Sequence, residues 1–180
     1  MNETSNAKNE NCVVILRGPS GVGKSTISGI IQGKLGSNWT VIDVDKFKHY
    51  MPLKEDKSNR AERTEIAHDV GNYFAKAMYD KGYNVILEEM YRQRHNDQLV
   101  QFLTSNNMSY VKVFLSAPLD ALIQRSKERE KNVPEEETRR FYEEAQPLPD
   151  DLVIDTSTYS SEQAADMIIA RVQNAGDEIA

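Results

Sequence analysis

Eight consecutive residues carry the densest chemical signal in the sequence: Gly18, Pro19, Ser20, Gly21, Val22, Gly23, Lys24 and Ser25. Their spacing, G-x-x-x-x-G-K-[ST], suits a loop whose successive backbone N–H groups close around phosphate oxygens. Such a loop needs an apolar strand before it and a helix after it, so that the positive end of the helix faces the anion. Residues 12–17 (CVVILR) read as the strand. Ile27, Ile30, Ile31 and Leu35, at i, i+3, i+4 and i+8, read as the buried stripe of the helix. The eight residues and Thr26 are therefore expected to contact ATP. Lys24 would reach the β- and γ-phosphates, and Ser25 would offer its hydroxyl to Mg2+.

A nucleotide grip does not define a reaction. A GTPase switch needs Asp-x-x-Gly after a strand and Asn-Lys-x-Asp for guanine, and the sequence contains neither. A phosphotransferase needs an acceptor site, a base beside it and cations that arrive over the transferring group. Asp43 and Asp45 stand at the end of an apolar segment, on one face if strand alternation continues through them. Ligands of open α/β sheets bind beyond the carboxyl ends of the strands, so Asp45 is expected near the γ-phosphate, where a carboxylate can take the proton of an acceptor hydroxyl. The competing reading for both residues is capping of the following turn. Glu88 and Glu89 end another apolar segment. Alternation would let one of them, Glu88, face the site, holding a Mg2+ water or touching the acceptor. Arg125 and Arg129, four apart on a helix, and Arg139 and Arg140 beyond them are candidate cations for the developing phosphoryl charge. Each has an i,i+4 salt bridge as its alternative.

The elements that must position these groups alternate along the chain. Residues 12–17, 40–45, 83–88, 110–116 and 152–155 read as strands, several nearly continuous in Val, Ile, Leu and Phe, as in parallel strands covered on both faces. Helical stripes lie between them: Ile66, Val70, Tyr73, Phe74, Ala77 and Met78; Leu99, Phe102 and Leu103; Leu119, Leu122 and Ile123; and Ala165, Ile168, Ile169 and Val172, with Ser160 and Gln163 at capping-box spacing. This alternation predicts an α/β fold with a parallel sheet. The stretch 131–149, a short helix after Pro134, interrupts it and reads as a lid over about 130–149. Residues 1–11 read as a disordered leader, and 12–180 as a single domain.

Composition narrows the class further. Of 180 residues, 39% are apolar and 28% charged, an ordinary globular balance. With 22 Lys and Arg against 28 Asp and Glu, the net charge of −6 argues against nucleic acid as a partner. Cys12 is the only cysteine, so no intrachain disulfide forms, and it reads as a small buried hydrophobe. No apolar run is long enough for a membrane span, and the expected compartment is the cytoplasm. His49, His68 and His95 lack metal-ligand spacing and read as ordinary surface or partly buried histidines.

Over most of residues 12–173 the chain resembles the small P-loop kinases that include chloramphenicol phosphotransferase, zeta toxins and polynucleotide kinases. The resemblance rests on GPSGVGKS, VDKFKHYMPLK (44–54), NVILEEMYRQR (84–94), the helix of Arg125 and Arg129, and VIDTSTYSSEQA (153–164). It implies a three-layer P-loop fold with five parallel strands in the order 2-3-1-4-5, helices on both faces and a small lid. It further implies transfer of the ATP γ-phosphate to a hydroxyl with Asp45 as base, a lid carrying Arg125 and Arg129 as catalytic cations with Lys24, and adenine near Arg125 and 155–157. Pro19 and Val22 in the loop, the Glu88-Glu89 pair and the VPEEETRRFYE segment depart from the antibiotic kinase, so chloramphenicol itself is not implied as acceptor.

The segment 46–65 leaves the site after Asp45 and should border the acceptor. Asp43, Lys48, Glu88, Glu89 and Arg92 are expected to contact it. The favoured activity is phosphorylation of a small hydroxylated molecule, antibiotic-like, nucleoside or sugar-nucleotide. The alternatives are a polynucleotide 5′-hydroxyl kinase, for which Lys48 stands where those enzymes have Arg, and a non-catalytic nucleotide-binding module.

Overall fold

A computed structural model describes residues 11–128 and 133–177. Apart from Asn11, the expected leader lies outside them, as does Arg129.

Five parallel strands form one sheet: β1 (Cys12–Arg17), β2 (Trp39–Asp43), β3 (Asn84–Glu88), β4 (Ser109–Ser116) and β5 (Leu152–Asp155), in the order β2-β3-β1-β4-β5. This is the order and direction the resemblance implied. All six residues of β1 are buried, because it is the middle strand and both its faces are covered. Val14 and Leu16 point into a core closed by α1 (Lys24–Leu35) and α7 (Ser161–Asp177), with Ile27, Ile31, Ala165 and Ile168. Val13 and Ile15 point the other way, toward Ala67, Ala75, Leu99 and Leu103 of α3 (Arg60–Tyr79) and α4 (Gln93–Ser105). The continuous apolar run of β1 thus divides between two cores by the period-2 alternation of a strand.

Capping follows the sequence at α7, where the Ser160 Oγ accepts from the Gln163 N–H at 3.2 Å and the Gln163 side chain accepts from the Ser160 N–H at 3.0 Å. Beyond α5 (Leu119–Lys127), a helix α6 (Glu135–Glu144) follows Pro134, the short helix expected within 131–149. Among the described residues, no helix is long and apolar enough to cross a membrane.

Two local expectations differ from the structure. Strand β2 ends at Asp43, and Val44–Phe47 forms a short helix, α2, continued by a single 3-10 turn at Lys48–Tyr50. Alternation therefore stops before Asp45. In α3 most of the apolar stripe does not face the core: Ile66, Val70, Tyr73 and Phe74 are 41–67% exposed and only Met78 packs against it, while Ala67, His68, Gly71, Asn72 and Ala75 are buried. Small residues at 67, 71 and 75 let the helix lie close on its neighbours. A Cβ at Gly71 would come within 3.1 Å of Val44 Cγ2.

Candidate active site

The phosphate loop connects β1 to α1 through three glycines at positive φ: Gly18 at 147°, Gly21 at 89° and Gly23 at 105°. At Gly18 a side chain is excluded by contact as well as by conformation, since its Cβ would stand 2.4 Å from the Leu115 carbonyl oxygen of β4. The Lys24 ammonium folds over the loop and donates to the carbonyls of Gly18 at 2.8 Å and Pro19 at 3.1 Å. Burial lowers the Lys24 pKa, against the opposing charges of Asp45, Glu88, Glu89 and Asp43, of which Asp45 acts most strongly.

Glu88, at the end of β3 and 4% exposed, accepts from the Ser25 hydroxyl at 3.0 Å and the Ser28 hydroxyl at 2.9 Å. A hydroxyl and a carboxylate side by side at the head of α1 are the oxygen donors that Mg2+ takes when nucleotide phosphates supply the rest. The described residues hold no cluster of three or more acidic, His or Cys side chains that could form a metal cage by themselves. Glu88, which the sequence reading counted among the acceptor contacts and also as a holder of a Mg2+ water, thus turns toward the head of α1.

Glu89 follows the last residue of β3, so alternation no longer governs it, and it turns toward a different half of the site. It is 6% exposed, and its carboxylate meets the Lys48 ammonium at 3.4 Å and His68 Nε2 at 2.6 Å. Burial pushes its pKa up, but hydrogen bonding and charge from His68 and Lys48 overcome this and hold it at about 2. Lys48 also meets Asp45 at 2.6 Å. Burial alone would lower the Lys48 pKa; the charges of Asp45 and Glu89 outweigh it and raise it.

These groups open onto a cleft of about 850 Å³ lined by Ser20 and Lys24, by Asp45, Lys48 and Glu89, and by Arg92 and residues of α6. Asp43 is not among its lining residues; its side chain accepts from the Asp45 N–H at 3.1 Å and caps α2. Arg92 pairs with Glu144 of α6 at 2.7 Å. Arg140 lines the cleft beside Phe141, whereas Arg139 pairs with Glu135 at 2.7 Å, the i,i+4 alternative. Arg125 is also absent from the cleft lining. It donates to the Thr156 hydroxyl at 2.9 Å and carbonyl at 2.8 Å, against the loop after β5.

The sequence reading took His68 for an ordinary histidine, included Arg60 and Arg63 only as part of the 46–65 segment, and did not single out Arg94. His68 lay four residues before Asn72 on a helix whose buried face was assigned to the wrong stripe, which hid its approach to Glu89. Arg63 donates to the Lys48 carbonyl, a contact 15 residues apart with no periodic signature.

The chloramphenicol phosphotransferase-like protein family matches residues 11–173. L-seryl-tRNA(Sec) kinase of Methanococcus maripaludis is 27% identical over 158 residues, covering 81% of this chain and 59% of that protein, so the chain spans about three fifths of that relative's length. A kinase candidate of Chloroflexus aurantiacus superposes with a TM-score of 0.75 at 17% identity, over 92% of this chain and 98% of that one. The APS kinase CysC of Mycobacterium tuberculosis, in complex with AMPPNP and APS, superposes with a TM-score of 0.69 at 19% identity, over 91% and 98%. At these identities the superpositions establish the fold, while the match across 11–173 establishes descent. The chain belongs to the chloramphenicol phosphotransferase-like family of ATP-using P-loop kinases.

Proposed function

We propose that the protein transfers the γ-phosphate of ATP to a hydroxyl of a small acceptor, with Asp45 as general base. The observation that carries this reading is the shared cleft: Asp45 lines the same cavity as Lys24 and Ser20, and its charge is the strongest carboxylate influence on the Lys24 ammonium.

The loop N–H groups and Lys24 hold the triphosphate and fix the γ-phosphorus against the floor of the cleft. Mg2+, held by Ser25 with Glu88 behind it, would neutralise charge on the β- and γ-phosphate oxygens. The acceptor oxygen attacks the γ-phosphorus as its proton passes to the Asp45 carboxylate. The bond from that phosphorus to the β,γ-bridging oxygen breaks, and ADP leaves with the electron pair. Lys48, pinned by Glu89, orients Asp45 and spreads its charge. Arg140 on α6 approaches from the lid side, where a cation meets the transferring group on closure. Arg125 stands on the side of 155–157, suited to the adenine end.

Asp45→Ala is expected to lower phosphotransfer from labelled ATP about 10²–10⁴-fold, the range of a lost general base, with ATP affinity unchanged within a few-fold. Turnover is read in a screen over antibiotics, nucleosides and sugar-nucleotides. A variant that keeps most of its turnover removes Asp45 from the base role.

A further inference from the structure

The chain as a whole is acidic, at −6, yet the cleft is lined by eight Lys and Arg side chains against four carboxylates. The excess is concentrated on one wall. Arg92 pairs with Glu144 and Arg94 with Glu65, each at 2.7 Å, and Arg140 meets Glu137 at 3.8 Å. Lys57, Arg60 and Arg63, from the turn before α3 and its first helical turn, have no carboxylate within 4.0 Å among the described residues. Arg63 is half-buried. One of its terminal nitrogens donates to the Lys48 carbonyl, and its Nε is buried with no partner. A guanidinium set partly out of water with a donor unused is costly unless an anion completes it.

ATP does not account for this wall. The triphosphate is served by the loop amides and Lys24 at the head of α1, whereas residues 57–63 belong to the segment that departs after Asp45 and returns on the acceptor side. Arg63 is fastened there to the turn that carries Lys48. A planar guanidinium with several free donors matches a phosphate oxygen pair.

We propose that the acceptor carries a phosphate group besides the hydroxyl it offers, and that Arg60 and Arg63, with Lys57 beside them, hold it. The inference rests on the phosphotransfer reading above but concerns a separate wall of the cleft. The bound phosphate anchors the acceptor so that its hydroxyl faces Asp45. A neutral molecule with the same hydroxyl would lack that anchor and leave three like charges uncompensated.

The test fills the loop first. Protein saturated with AMPPNP is titrated with inorganic phosphate by calorimetry, in the parent chain and in Lys57→Ala and Arg60→Ala, whose exposed side chains can be truncated without disturbing the core. Phosphate is expected to bind, more weakly at higher salt, with Arg60→Ala weakening it about tenfold, as for a lost charge-assisted hydrogen bond. AMPPNP affinity is expected to change less than twofold. Absence of phosphate binding with the loop filled, or equal affinity in all three proteins, overturns the proposal. In parallel, labelled ATP is offered with matched acceptors, nucleosides and sugars with and without a phosphate and oligonucleotides bearing a 3′-phosphate. Label confined to phosphorylated compounds supports the proposal, and its distribution between small molecules and oligonucleotides identifies which source supplies the phosphate. Equal labelling of neutral partners overturns it. Unchanged turnover in Asp45→Ala would overturn the base assignment and leave the anion site standing.

Discussion

Glu89 ties Lys48 to His68 beside the cleft, because one buried carboxylate meets both. Its pKa of about 2 in the folded protein lies below the ordinary carboxylate value of 4.5, so the folded state releases this proton more readily than the unfolded chain. The resulting stabilisation is complete above about pH 4.5 and is lost as pH falls from there toward 2. Glu89→Gln is expected to cost on the order of 3 kcal/mol at pH 7, with the difference from the parent shrinking toward zero near pH 2, in urea titrations at several pH values. A difference that stays constant across that window would mean the carboxylate is not held ionised by its partners. Cys12 shows the opposite influence. Burial in the middle of the sheet pushes its thiol up to about 12, so it acts as a small apolar side chain, as its place in an apolar run suggested.

At the scale of elements, the junction between β1 and α1 tolerates no side chain at its first glycine. Gly18→Ala would need both a rare backbone conformation, at φ of 147°, and a Cβ inside the contact distance of the Leu115 carbonyl. Relief requires either the loop or β4 to move. The substitution is expected to cost about 1–3 kcal/mol by thermal unfolding and to weaken AMPPNP binding at least tenfold, since the loop amides lose their shared focus. The β2–α2 junction illustrates a limit of pattern reading. Asp43 and Asp45 look alike in sequence, two residues apart after apolar residues. Once the chain turns helical at Val44, one carboxylate caps the turn and the other opens onto the cleft. The α3 stripe shows a second limit. Periodicity located the helix correctly but chose the larger apolar residues as its buried face, whereas the buried face carries Ala67, Gly71 and Ala75, with Gly71 in close approach to Val44.

At the scale of the molecule, Arg17 and Asp151 form an ion pair buried to 1% and 0% side-chain exposure. Arg17 ends the central strand and also donates to the Tyr91 carbonyl at 3.1 Å, while Asp151 precedes β5 and accepts from the Leu148 N–H at 2.6 Å. The pair therefore joins β1, the segment after β3 that lines the cleft, and the chain between α6 and β5. Asp151→Ala leaves a buried guanidinium without its counter-charge and is expected to cost about 3–5 kcal/mol in chemical denaturation. Arg17→Met combined with Asp151→Leu is expected to recover much of that loss, because it removes the stranded charge. If the double variant is no more stable than Asp151→Ala, the loss stems from packing rather than from the stranded charge.

What the linear order of residues determines by itself is whatever depends on near neighbours. The phosphate loop and the capping box at Ser160 arise from contacts within a few residues and stand where the sequence analysis expected them; four of the five strands lie within a residue of their expected bounds, and the second ends at Asp43, two residues early. The family motifs also implied the strand order, which no local period encodes. Tertiary structure alone decided other pairings across long separations: Glu88 on Ser25 and Ser28, and Lys48 between Asp45 and Glu89. It also brought Lys57, Arg60 and Arg63, near neighbours in the chain, onto the same cleft as Lys24, Arg92 and Arg140, a basic lining that the acidic total conceals. Net charge is a sum over the whole chain, but a ligand meets only the charges that folding brings to one cleft, where a partly dry environment lets each count for more.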